Sequence, residues 1–222
     1  MKRSEINSLL ADAKAFFSAM GFALPPWAYW SPSDWAEAQE DVSEITANGL
    51  GWDITDFGSG DFRRQGLLLF TIRNGSLLPG SKPYAEKIMI VEEGQVTPLH
   101  HHLVKTEDII NRGGGKLVLE LYKVAEDGGL GMEDFQVSLD GIQRKVRPGE
   151  RVVLQPGESI CLTPDIYHKF YGEPGSGKVL VGEVSTVNDD HTDNVFFEAL
   201  GRFPDLEEDA EPLHLLVTDY GK

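Results

Sequence analysis

At 222 residues, 41% of them hydrophobic and 25% charged, the chain is long enough for one generous domain or two small ones, and a disordered, collagen-like or coiled-coil protein is excluded. Thirty-six acidic against twenty basic residues give a net charge of −16, which repels phosphate backbones and anionic lipid, so no nucleic-acid or membrane partner is expected. The N-terminal apolar stretch is interrupted by acids and amides and the single cysteine, Cys161, can form no internal disulfide, so a cytoplasmic protein with a buried structural thiol is expected.

Ile6, Leu9, Leu10, Ala13, Phe16, Phe17 and Met20 recur at three- and four-residue steps and predict an amphipathic helix stopped at Gly21. SPSDWAEAQ predicts a second, short helix, with Ser31 as cap, Pro32 in the first turn and Asp34 completing a capping box. Helical structure is expected to end near Gln39. From Gly51 onward the pattern changes to short strands: GWDITDF, GLLLFTIR, YAEKIMIVEE, QVTPLHHH, EDIINR, KLVLELYKV, FQVSL, GIQRKV, RVVLQ, SICLTP, YHKFYG, KVLVGEVSTV and LHLLVTDY. Asp140-Gly141 between FQVSL and IQRKV is the strongest hairpin signal. Many short strands without intervening helices argue for an antiparallel sandwich, jelly roll or barrel, and the acidic run 204–212 reads as a solvated loop.

Chemistry concentrates in the segment from Gly94 to Gly114. On a strand, His100 and His102 project from one face while His101 points away, and Glu107 follows after a short connection. His168, some sixty residues later on YHKFYG, supplies a third imidazole; His191 and His214 have poorer surroundings. Three neutral nitrogens and a carboxylate converging inside a barrel would bind a divalent transition metal with two octahedral positions open.

This segment resembles the first cupin motif: Gly94, five residues, His100, one residue, His102, four residues, Glu107, six residues, Gly114. The second cupin motif is met in part, through Gly157, Pro164 and His168 at altered spacing. Over nearly the whole chain, and through HHHLVKTEDIINRGGGKLVLELY and GEVSTVNDDHTDN in particular, the sequence resembles the D-lyxose isomerases. The resemblance implies a mainly β, cupin-type antiparallel jelly-roll barrel in a single domain, with residues 1–50 as a helical extension packed on a barrel of residues 51–222. It also implies an aldose–ketose isomerase that uses Mn2+ and interconverts D-lyxose and D-xylulose, with D-mannose to D-fructose as a side activity. His100, His102, Glu107 and His168 are then the metal ligands. A homodimer is expected from the edge strands a jelly roll leaves available.

Moving a hydrogen between C1 and C2 proceeds through a cis-enediol, which needs titratable groups, or by a hydride shift. Lys105, between two ligands, is a candidate to move protons at the sugar oxygens, with a pKa expected to be depressed by the cation; a solvated loop lysine is the ordinary alternative. Glu183, set in the apolar strand KVLVGEVSTV, is the candidate carbon-proton base or else pairs with a cation. Asp190 and Asp193 in the polar run after that strand are candidate sugar contacts, or simply turn residues. Trp52, Arg63 and Arg64 are left as groups that could cover the pocket. Rival readings are an iron-dependent cupin dioxygenase, which would need neither Lys105 nor Glu183, a non-catalytic sugar-binding cupin, and an epimerase or phosphosugar isomerase, the last disfavoured by scattered basic residues.

Overall fold

The computed structural model describes residues 1–222 except 77, 188, 190, 191, 202, 203 and 222. It begins with α1 (Arg3–Ala19), a 3-10 turn (Pro26–Tyr29), α2 (Pro32–Glu37) and α3 (Ser43–Ala47). Fourteen strands follow among the described residues: β1 (Gly51–Thr55), β2 (Leu67–Arg73), β3 (Tyr84–Val91), β4 (Thr97–His102), β5 (Glu107–Gly114), β6 (Leu117–Val124), β7 (Leu130–Gly131), β8 (Phe135–Leu139), β9 (Ile142–Val146), β10 (Arg151–Leu154), β11 (Ser159–Leu162), β12 (Ile166–Gly172), β13 (Val179–Thr186) and β14 (Asn194–Phe196). They form an eight-stranded sheet, in the order β1-β2-β3-β13-β5-β11-β8-β9, and a six-stranded sheet, β10-β6-β12-β4-β14, with β7 paired to β6. All these pairings are antiparallel.

Strand alternation divides the apolar residues between two cores. Leu67, Leu69, Met89, Val91, Val179 and Val181 point between the sheets and pack with Leu117, Leu119, Leu121 and Phe170. Their neighbours Leu68, Phe70, Ile88, Ile90 and Leu180 point outward and meet Ile6, Leu10, Ala13 and Phe17 of α1. The uninterrupted run LLLF is therefore a strand covered on both faces, the pattern expected when helices sit on a sheet. Trp52 belongs to this outer core, stacked 6.0 Å from Phe17 with its indole N–H donated to the Ala28 carbonyl. It does not reach the barrel interior.

The expected turns behave as their chemistry requires. Asp140 and Gly141 adopt φ of 50° and 81° between Leu139 and Ile142, as a two-residue type I′ hairpin demands. Ser31 accepts the Asp34 N–H while Asp34 accepts the Ser31 N–H, so the capping box of α2 is complete.

Four expectations are corrected. Helical structure continues past Gln39 into α3. LHLLVTDY is not a strand: Leu216 makes one isolated bridge to Trp52, and Asp219 then turns back to accept the Leu216 N–H, closing a 3-10 turn at Val217–Asp219. The described part of the acidic run is a strap rather than a free loop. Glu208 and Asp219 each grip the buried Arg3 guanidinium with two hydrogen bonds, and Asp209 accepts the Ser4 N–H and hydroxyl. These acids supply the N-terminal anion that α1 needs and that Lys2, its own cap residue, does not provide. Cys161 is half-buried beside Asp108 rather than in the core, and burial pushes its thiol up to about 11, leaving it unreactive. No helix among the described residues is long and apolar enough to cross a membrane, which says nothing of membrane strands.

Candidate active site and metal centre

The site lies where the two sheets face each other. From the six-stranded sheet, β4 supplies His100 and His102, and β12 supplies His168, paired directly with His100 across the strands. From the opposite sheet, β5 begins with Glu107. The ligand-capable atoms of His100, His102 and His168 lie within 4.8 Å of one another, and all three rings are buried. Glu107 Oε1 is 3.0 Å from His168 Nε2 and 3.4 Å from His102 Nε2. His101 turns away, its Nδ1 toward the Pro164 carbonyl and its ring against Tyr167.

Backbone carbonyls fix the tautomers. His100 Nδ1 donates to the Pro98 carbonyl at 2.7 Å and His168 Nδ1 to the Ile166 carbonyl at 3.2 Å, so each Nε2 keeps its lone pair. Nε2 of both His102 and His168 is buried without a hydrogen-bond partner among the described residues. Buried polar atoms left so are rare and ask for a missing partner. Burial, with the neighbouring imidazoles, holds His100 well below the usual histidine range, and burial also lowers His102, so both present neutral nitrogens. Burial alone would raise Glu107, but Lys105 and His102 outweigh it and keep the carboxyl well below its ordinary value. Neutral nitrogens beside an ionised carboxylate are a donor set that fits a divalent transition metal.

Behind the carboxylate runs a chain of buried charges. Lys105 Nζ is 2.7 Å from Glu107 Oε2 and 3.0 Å from Glu183 Oε1. Glu183 sits on β13 at the parity of Val179 and Val181, where the inner core gives way to a cavity. Burial pulls Lys105 down, but Glu107 and Glu183 together hold the ammonium above the usual lysine range. His100, His102, Lys105, Glu107, Glu183 and Phe196 are among the residues lining a pocket with about 530 Å³ of space not filled by atoms, its open mouth included.

The polar run after β13 contributes differently from expectation. Asp193 is buried, and its carboxylate accepts the N–H groups of Val104 and Lys105 at 2.7 and 3.2 Å, with His102 Nδ1 3.6 Å away. It clamps the loop that carries Lys105 and is not among the residues lining the pocket. Asp190 lies outside the described residues. Arg63 and Arg64 are exposed and Trp52 is in the outer core, and none of the three lines the pocket.

Lys87, Asn194 and Thr97 are among the lining residues that the sequence did not single out. Lys87 is a buried cation in an apolar strand, the same signal that drew notice to Glu183. Asn194 belongs to β14, a three-residue strand too short to show a period, which pairs with β4 at His102. Thr97 lines the pocket with a buried, unpartnered hydroxyl although its parity is opposite to that of His100. A bulge explains it: Pro98 and Leu99 on β4 oppose Lys169 alone on β12, and the extra residue reverses the alternation.

Two facing antiparallel sheets with a histidine cluster between them and helices on one outer face define a mainly β, cupin-type barrel. Solved L-ribose isomerases have this fold. A variant of the Acinetobacter sp. DL28 enzyme in complex with L-ribose is 16% identical, with 93% of this chain and 98% of that one covered at a TM-score of 0.63. The Cellulomonas parahominis enzyme with L-ribose gives the same values. In sequence, the model of the D-lyxose isomerase family matches residues 1–220. A D-lyxose/D-mannose isomerase of Serratia proteamaculans is 51% identical over 99% of this chain and 98% of its own, and one of Escherichia coli O157:H7 is 48% identical over the same shares. The chain belongs to the D-lyxose isomerase family, and so to the sugar isomerases.

Proposed function

We propose that the protein is a metal-dependent aldose–ketose isomerase interconverting D-lyxose and D-xylulose, with a weaker activity on D-mannose and D-fructose, which share the C2 and C3 configuration. One observation carries the reading: His100, His102 and Glu107 line the same pocket as the paired Lys105 and Glu183. The two relatives named D-lyxose/D-mannose isomerase support these sugars as substrates. His100, His102, His168 and Glu107 would hold one divalent cation, Mn2+ by family resemblance. When bound, it would supply Lewis acidity at the sugar oxygens.

The chain's own groups do the proton work. Glu183 removes the C2 proton of the aldose while the Lys105 ammonium gives a proton to O1, leaving a cis-enediol. Glu183 then returns its proton to C1 as Lys105, now a neutral amine, takes the proton from O2. Hydrogen has moved from C2 to C1, a proton from O2 to O1, and both side chains end as they began. The 3.0 Å separation of Lys105 Nζ and Glu183 Oε1 suits groups acting on neighbouring atoms of one substrate. Asp193 is assigned to positioning, through the Lys105 loop, and Asp190 to sugar contact. Residues 1–222 act as one domain, in the cytoplasm and as a homodimer joined through sheet-edge strands; the free Cys161 supports the location.

Elemental analysis of the purified protein, joined to a ketose assay over free pentoses and hexoses with Mn2+ added, tests this. One manganese per chain with D-lyxose as the best substrate is expected; oxygen consumption with iron and no ketose would replace isomerase by dioxygenase. The Glu183 carboxyl exchanges its proton with solvent during the life of the enediol, so reaction in deuterated water is expected to place deuterium at C1 of part of the ketose, and a product free of deuterium over many turnovers would turn the mechanism to hydride shift.

A further inference from the structure

Lys87 lies on β3 between Ala85 and Met89, on the face turned into the barrel, and is 5% exposed. It stands directly opposite Glu183 across the β3–β13 ladder. Its Nζ is 3.7 Å from Glu183 Oε1, the oxygen that also receives Lys105 at 3.0 Å and the Ser185 hydroxyl at 3.1 Å. Three groups from three segments therefore gather on one carboxylate oxygen, and Oε2 has none of these contacts. A second buried ammonium opposes folding through its desolvation unless it is well engaged. Lys87 also lines the pocket.

We propose that Lys87 is a positioning residue: together with Lys105 it holds Oε1 of Glu183 and so presents Oε2 to the C2 proton of the sugar. The inference rests on the reading of Glu183 as the carbon-proton base. Lys87 touches the base and leaves the reacting atoms to it, so its loss lowers turnover more than substrate affinity and acts only while Glu183 can act.

A double-mutant cycle of K87M and E183Q tests this in the manganese-loaded enzyme, with metal content and melting temperature measured on each variant. K87M is expected to lose about 10- to 100-fold in kcat with KM within about threefold of wild type. K87M/E183Q is expected to turn over within about twofold of E183Q alone. K87Q runs beside K87M, so a K87M that fails to fold leaves the cycle measurable. If the Lys87 loss adds in full to that of a slow E183Q, or if KM rises while kcat holds, Lys87 acts on the sugar directly and the inference falls alone. If E183Q turns over near the wild-type rate, the base assignment falls and takes this inference with it.

Discussion

Replacing Lys105 with Met removes the ammonium from between two buried carboxylates. Lys105, Glu107 and Glu183 are 4%, 3% and 5% exposed, so water cannot stand in for it. Glu107 loses a partner at 2.7 Å and keeps only the imidazoles of His168 and His102, at 3.0 and 3.4 Å; Glu183 loses one at 3.0 Å and keeps Lys87 at 3.7 Å. Breaking a buried ion pair from one side costs about 3–5 kcal/mol, which in a chain of this length lowers the melting temperature by roughly 6–20 °C. The deficit also has a pH signature. Wild-type Glu107 is held well below its ordinary value, so it contributes stability that is present above the unfolded pKa and lost as pH falls. K105M lacks that contribution, so its deficit is largest at neutral pH and narrows below about pH 4.5, where the unfolded carboxyl takes up its proton. Calorimetry of both metal-free proteins from pH 4 to 8 reads it. A K105M melting temperature within about 2 °C of wild type at pH 7, or a deficit that does not vary with pH, would refute the reasoning.

His100→Ala, His102→Ala, His168→Ala or Glu107→Ala should each abolish manganese retention and activity together; wild-type manganese by elemental analysis in any one removes that residue from the ligand set. Glu183→Gln keeps its metal and loses at least about 100-fold in turnover; near-normal turnover passes the role to another carboxylate. Asp193→Ala strips two N–H groups of their buried acceptor and frees the Lys105 loop, so a loss of about 2–4 kcal/mol by urea unfolding is expected together with reduced kcat, and an unchanged kcat would detach the clamp from catalysis. His100 and His102 are depressed by burial, so the unfolded chain binds more protons below about pH 6.5 and the metal-free protein should weaken as pH falls from there toward their lowered values. Flat stability of the metal-free protein between pH 7 and 5.5 would contradict neutral, buried imidazoles.

What the sequence revealed and what it hid follow from how far a local pattern reaches. Short apolar segments between turn residues located twelve strands, and period-two parity put His100 and His102 on one face with His101 on the other, because that parity is a property of the backbone alone. It could not say that both faces of LLLF are covered, since the partner of Leu68 and Phe70 is a helix some fifty residues earlier. Thr97 was hidden by a single extra residue at Pro98–Leu99, for a bulge inverts parity without leaving a clear mark in composition. LHLLVTDY has the apolar content of a strand, but Asp219 claims the Leu216 N–H that a neighbouring strand would need. The acidic run misled in the opposite way, its charge suggesting water when two of its acids hold α1, and its partner Arg3 lies at the far end of the chain.

The placement of the four candidate ligands has a consequence for the fold. The three histidines belong to the six-stranded sheet and Glu107 to the eight-stranded one, so a cation held by all four would tie the two sheets together at the end of the barrel where the apolar core stops. At the other end Leu117, Leu119 and Val179 do that work by packing, each with no exposed surface. Near the site the facing residues are imidazoles, carboxylates and lysines, whose desolvation opposes folding unless a counter-charge arrives. Free energy of metal binding is then free energy of folding for this end of the barrel in particular. Chelation should therefore loosen β4, β5 and β12 near the pocket before it disturbs β2 and β3 under α1, and hydrogen exchange that accelerated uniformly across both regions would contradict that division.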